Sequence, residues 1–172
     1  MRALFVILTA SGLLGACAAV DALPEPAGPA SAVAASYVPR PGYDWFLHAD
    51  SGAMTLVYGL RDSDDVGLSL DCEAGSARIE ASRFTPANSA SSLLLESGGV
   101  SARVAASTSR TDLDDATVVM GTFNAREAVF DTFAELGWIR AESDRDLPSP
   151  ALIAHPESKA NIARFIRACR DG

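Results

Sequence analysis

The side chains in this sequence that could do chemistry fall into a few groups: three cysteines, two acidic turns, two histidines and one aromatic run. A thiol can be a nucleophile, a metal ligand or half of a disulfide, so Cys17, Cys72 and Cys169 come first. His48 and His155 each lack a second His or Cys at ligand spacing, which leaves no zinc motif. A Cys–His nucleophile built from Cys72 and one histidine would require Cys72 to be a free thiol. The sequence contains no Gly-x-Ser-x-Gly elbow, Ser-x-x-Lys pair, phosphate loop or dinucleotide fingerprint.

The acidic turns are "RDSDDVG", with Asp62, Asp64 and Asp65, and "RTDLDDAT", with Asp112, Asp114 and Asp115. Crowded carboxylates suit calcium, which takes about 6–8 oxygen ligands. Neither turn has the central glycine and distal glutamate of an EF-hand loop. Aspartate also favours turns by bonding its own backbone, and that is the expectation here, with no metal and no cofactor. The aromatic run places Tyr37, Tyr43, Trp45 and Phe46 around Pro41-Gly42. Tyr and Trp are enriched at interfaces because one end is apolar and the other wet. Tyr43 and Trp45, with Asp62, Asp64 and Asp65, are therefore the candidate surface residues. An ordinary first strand packed under a sheet would use the same aromatics.

Elements able to position these groups follow from periodicity. Met54, Leu56, Tyr58 and Leu60 alternate with smaller or polar residues, and Val66, Leu68, Leu70 and Cys72 do the same. Ala77, Ile79 and Ala81 oppose Arg78, Glu80 and Ser82. Leu93–Leu95, "VSARVAAS", "ATVVMGTF" and "WIRAE" extend the pattern, with "EAGS" and "ESGG" as turns. Two helices are predicted, over about 125–136 and 156–170. The first has Asn124 and Glu127 in capping-box spacing and Gly137 as its C′ residue. The second opens on Pro156 and carries Ile162, Phe165, Ile166 and Cys169 on one face. Its outward face holds Lys159, Arg164, Arg167 and Arg170. The expected fold is α+β: an antiparallel meander sheet of about six to seven short strands, covered by the two helices.

Cys72 lies on the apolar face of a strand and Cys169 on the apolar face of a helix, so both thiols point inward. A helix packed on the sheet would bring them together as a disulfide. Two separate buried thiols are the alternative.

The chain has 172 residues, 48% of them apolar and 21% charged, enough to bury a core. Its formal net charge is −8, which argues against a nucleic-acid partner, since phosphate binding needs a concentrated basic face. Residues 1–16, "MRALFVILTASGLLGA", place one positive charge before an apolar run, as in a secretory signal peptide. The run closes on Leu14-Gly15-Ala16-Cys17, which resembles the lipobox of bacterial lipoproteins. That resemblance implies diacylglyceryl transfer to the Cys17 sulfur, cleavage before it, and acylation of the new amine by a chain such as palmitate. Ala18, in place of Asp, implies sorting to the outer membrane. Several acyl chains, at about 0.8 kcal/mol per buried CH₂, make a stable anchor. An uncleaved anchor helix from Ala3 to Val20 and an ordinary cleaved signal are the alternatives. Residues 17–36 are Ala/Pro-rich and read as a tether, and residues 37–172 as one domain. The expectation is an envelope lipoprotein facing the periplasm, a non-enzymatic binding or structural module. The membrane would be met through the anchor, and the partner would be an envelope protein or a glycan. A hydrolase with an unrecognised site and a small enzyme-inhibitor lipoprotein are the alternatives.

Overall fold

The structure, a computed structural model, describes residues 38–85, 90–110, 117–145 and 148–171. Cys17, Tyr37 and the second acidic turn with Asp112, Asp114 and Asp115 lie outside the described residues. In chain order the elements are β1 (Tyr43–Asp50), β2 (Ala53–Leu60), β3 (Val66–Glu73), β4 (Arg78–Thr85), β5 (Ser92–Ser97), β6 (Val100–Arg110) and β7 (Thr117–Asn124). Helix α1 (Ala128–Leu136), β8 (Trp138–Ser143), β9 (Leu152–Ile153) and helix α2 (Lys159–Asp171) complete the order. The α+β class and the antiparallel sheet are as expected; among the described residues the sheet has nine strands rather than six to seven. The two-residue β9, paired to β8 through Trp138↔Ile153 and Ile139↔Leu152, is too short to leave a periodic signal.

The sheet is also not a simple meander. Its strand order is β1-β2-β3-β4-β7-β6-β5-β8-β9, so the β5–β6–β7 unit is inserted in reverse. Nothing in the alternation of a strand says which neighbour it will pair with. The β4–β7 ladder runs from Arg78↔Asn124 to Thr85↔Thr117, and it is this non-sequential pairing that joins the two halves.

The apolar sets of both halves turn to one face. Leu56, Leu68, Leu70, Ile79, Leu93, Leu95 and Val119 are fully buried there and meet Phe130 and Phe133 of α1 and Ile162, Phe165 and Ile166 of α2. Trp45 packs on Phe133 at 5.0 Å between ring centroids, and Phe123 meets Phe130 edge-on at 6.2 Å. The sheet curls round the two helices until its ends nearly meet. Side chains, rather than a ladder, span the gap. The Trp45 indole N–H donates to the Leu152 carbonyl at 3.4 Å, and Arg83 of β4 donates to the Ala141 carbonyl of β8 and to Ser149 Oγ at 3.0 Å. The outer edge of β1 is covered as well. Asp44 accepts bonds from the His155 N–H at 3.1 Å and from the Ser158 hydroxyl, while Asn161 donates to the Trp45 carbonyl at 3.2 Å. A covered edge has fewer unpaired groups to recruit another strand.

Both helices begin later than their sequence signals imply. Asn124 and Glu127 do make capping-box contacts: the Asn124 N–H donates to Glu127 Oε1 at 3.1 Å, and Asn124 Oδ1 accepts from Arg126 N–H at 2.9 Å. These contacts close a turn over 125–127, and helical geometry starts at Ala128. Likewise Pro156 to Ser158 form a turn, with Ser158 N–H bonded to the His155 carbonyl at 3.1 Å, before α2 starts at Lys159. Gly137 ends α1 as expected, at φ 77°, with its N–H on the Phe133 carbonyl.

The disulfide forms. Cys72 of β3 is bonded to Cys169 of α2 with a Cα–Cα distance of 5.8 Å. Beside it, Gly75 and Ala77 N–H groups in the β3–β4 turn donate to the carbonyls of Ala168 and Cys169, each at 2.8 Å. The end of α2, which would leave unpaired carbonyls, is thus capped by the same turn that carries the bridge. With the cysteines 97 positions apart in sequence, loop closure in the unfolded chain is worth about 4–5 kcal/mol in the entropy model. The Cys72→Ala/Cys169→Ala double variant is expected to lose stability of that order in urea unfolding, and non-reduced peptide mapping of the parent should find the two cysteines joined.

A second prediction concerns acid. The Ser91 hydroxyl (2.7 Å) and the Ser91 and Ser92 N–H groups (2.8 and 3.2 Å) all donate to Asp144 after β8. These bonds, the Ser91 hydroxyl foremost, hold the Asp144 carboxyl down at about 2. A depressed folded value means that the stabilisation is present above the unfolded value of about 3.9 and is lost as pH falls toward 2. The stability difference between parent and Asp144→Asn should therefore shrink between pH 4 and pH 2. A constant difference would contradict the assignment.

Candidate functional site

Alternation along β1 sends Tyr43 and Trp45 inward and Phe46 and His48 outward. Tyr43 is 5% exposed and Trp45 is fully buried, so neither is the surface aromatic that composition suggested. The physical reason is the concave core. Trp45 stacks between Tyr58 (5.3 Å) and Phe133 (5.0 Å), and Tyr43 lies 5.8 Å from Tyr58. Rings of this size bury far more apolar area inside the curved sheet than on its outer face.

The outer face of β1–β3 carries a groove of about 390 Å³, lined by Phe46 and His48 of β1, Val57, Gly59 and Leu60 of β2, Val66 of β3, and Arg61, Asp62 and Ser63 of the turn between. Its floor is apolar and its rim is charged. Arg61 lies 5.0 Å from the Phe46 ring centroid, a cation–π contact worth about 0.5–1 kcal/mol where exposed. Leu60 is 38% exposed. The groove exists because of a β-bulge: Tyr58 pairs with Leu68, but Gly59 pairs with Val66, leaving Gly67 as an extra residue. A bulge reverses the alternation beyond it. Val66, expected on the same face as Leu68, therefore joins the outer groove. Gly59 is needed at this point, since a Cβ there would stand 2.8 Å from the Asp65 carbonyl oxygen.

The acidic residues separate in role. Asp62 adopts φ 56° and lines the groove, Asp64 is exposed, and Asp65 accepts the Tyr43 hydroxyl while its N–H bonds Ser63 Oγ at 3.0 Å. Its carbonyl accepts the Leu60 N–H at 3.0 Å, which closes the β2–β3 hairpin. These are the turn-making roles that aspartate's chemistry favours. Among the described residues no group of three His, Cys, Asp or Glu side chains is arranged to hold a metal. The bond to Asp65, then burial, raises the Tyr43 phenol above its ordinary value, so it stays a donor at neutral pH.

Cys72 and Cys169 are brought together as a disulfide, which removes Cys72 as a nucleophile. His48 lies on the groove wall, and His155 lies in the turn held by Asp44, so neither histidine faces the bridge. The arginine face of α2 also divides. Arg164 and Arg167 are exposed, while Arg170 is tied to the Ala125 carbonyl (2.8 Å) and to Asp131 (2.6 Å). Sequence reasoning had Phe46 in the aromatic run but singled out Tyr43 and Trp45 from it, and it missed Arg61 as the partner of Phe46. The usable signal was the parity of β1, once Trp45 is assigned to the core. Comparison with protein-family models, curated proteins and solved structures gives no match.

The bulge geometry sets a contrast between neighbouring positions. Gly59→Ala is expected to cost about 1–3 kcal/mol because backbone must shift, whereas Leu60→Ser, at a partly open site, should stay within roughly 0.5 kcal/mol. Thermal unfolding of the two variants checks both.

Proposed function

We propose that this chain is an exported envelope lipoprotein, anchored through Cys17, whose folded part is a non-enzymatic binding module. Its address follows from the lipobox-like Leu14-Gly15-Ala16-Cys17, and the outer membrane, facing the periplasm, from Ala18. The single observation that carries the reading is the Cys72–Cys169 disulfide, which ties the last helix to the sheet. Bridges of this structural kind form and persist in oxidising compartments. The anchor and the bridge thus point independently to the same side of the membrane.

The groove beside β1 is the proposed binding surface. An apolar floor of Phe46, Val57, Leu60 and Val66 inside a rim of Arg61, Asp62 and His48 matches the anatomy of protein interfaces, with aromatic and arginine residues at the centre. That composition favours an envelope protein over a glycan as partner: both signs of charge stand on the rim beside apolar depth, so an apolar side chain with polar flanks fits it.

Two measurements test this reading. Cys17→Ser should abolish lipid labelling and release the protein from membranes; an unchanged membrane fraction would indicate an uncleaved anchor helix. The purified folded part should capture an envelope protein in a pull-down, and Phe46→Ala with Leu60→Ser should abolish capture while unfolding normally. Turnover on a hydrolase panel, lost in a single Ser, Asp or His variant, would refute the binding reading.

A further inference from the structure

The end of the curled sheet away from the disulfide contains a second hollow, and it differs in character from the groove. It measures about 170 Å³ and is walled by Arg40, Tyr43, Tyr58, Asp65, Arg83 and Ser149. Its residues come from the segment before β1, from β1–β4, from Ala141 of β8, and from Ser149, Pro150 and Leu152 before and in β9. The bulge keeps it open. A Cβ at Gly67 would stand 3.3 Å from the Tyr58 ring and 3.8 Å from Leu152, narrowing the space between them. Glycine as the extra residue of the bulge thus serves the cavity as well as the groove.

The polar groups are held in place. The Arg83 guanidinium is oriented by bonds to the Ala141 carbonyl and Ser149 Oγ. The Arg40 guanidinium lies 3.7 Å from the Tyr43 ring centroid. Tyr43 donates to Asp65. Burial raises the Tyr58 phenol above its ordinary value, so it stays protonated, while the Tyr43 proton is engaged by Asp65. Two guanidinium groups, two phenols and one serine hydroxyl face a single carboxylate, one oxygen of which Tyr43 already engages. In a chain of net charge −8, this is a site of local positive balance.

We propose that this cavity binds a compact carboxylate. A guanidinium fork matches the two oxygens of a carboxylate in plane, and partial enclosure strengthens such charge-assisted bonds. The apolar walls of Tyr58, Pro150 and Leu152 leave space for a short hydrocarbon part. The volume falls below the roughly 300–1,000 Å³ of sites that enclose drug-sized ligands, so the ligand is either a small free acid or the terminal carboxylate of a chain that stays outside. The chemistry of the two is the same, and the source is for experiment to separate.

The probes are acetate, its neutral isostere acetamide, and an Ala-Ala dipeptide with a free or an amidated C-terminus. Amide chemical shifts of the folded part would be followed in titration. Saturable shifts of Gly67 and its neighbours with acetate at millimolar concentration, and none with acetamide, are expected; millimolar affinity corresponds to about −4 kcal/mol. Arg40→Gln, at an exposed position outside the sheet, should weaken binding at least fivefold with an unchanged melting temperature. Tighter binding of the free dipeptide than of acetate, lost on amidation, would assign a chain terminus; equal or weaker binding would assign a free acid. Absence of saturable shifts with both acids, or an equal response to acetamide, would overturn the proposal. Full acetate affinity in Arg40→Gln would overturn it as well. None of these outcomes depends on the envelope partner or on the outer groove.

Discussion

The fold depends on a sheet that is closed by side chains where its hydrogen-bond ladder stops. Trp45 and Arg83 reach from β1 and β4 to the backbone of Leu152 and Ala141, and Arg83 also reaches the Ser149 hydroxyl. Trp45 and Arg83 thus help hold the segment from 148 to 153, whose ladder to β8 is only two residues long. Both side chains combine ring or stem burial with a polar tip bonded on the far side. Buried polar groups that find a partner add specificity, and unsatisfied ones cost more than they return. Closure therefore selects one curvature for the sheet, and that curvature sets the position of everything attached to it.

Two features follow from that curvature. Helix α2 can lie under β1, β2 and β4 only if the sheet bends round it. Its position is then fixed at both ends, by Asp44 and Asn161 near its start and by the disulfide and the Gly75 and Ala77 amides at its finish. The bulge at Gly59 and Gly67 shifts the register between β2 and β3. It opens the groove on the convex side and leaves room in the cavity on the concave side. One irregularity in one ladder thus shapes both hollows.

Much of the strand content was legible in the sequence because alternation of apolar and polar residues is a local property. The inward faces of Leu68, Leu70, Ile79 and Ala81 were readable in this way, as were those of Ile162, Phe165 and Cys169 on the last helix. The disulfide was legible for the same reason: both cysteines lay on apolar faces. The candidate site was less legible. Tyr43 and Trp45 stood out by residue type, but their burial depended on which face of β1 met the helices, and alternation leaves that choice open. Val66 changed faces because a bulge is a single-residue insertion with only a glycine to mark it. Arg61 and Arg83 carried no local signal, since their roles come from partners up to 66 residues away.

The sequence by itself determined the strand and helix periodicities and the inward aim of Cys72 and Cys169, and it carries the lipobox-like Leu14-Gly15-Ala16-Cys17 on which the proposed address rests. Tertiary structure alone decided the reversed insertion of β5–β7, the closure across β9, the inward turn of Tyr43 and Trp45, and the convergence of Arg40, Asp65 and Arg83. The division is physical: periodicity and cleavage signals are written in neighbouring residues, whereas strand partners and cavity walls are chosen by the burial of a whole face at once. That choice minimises exposed apolar surface over the entire chain, and no short window of sequence contains it.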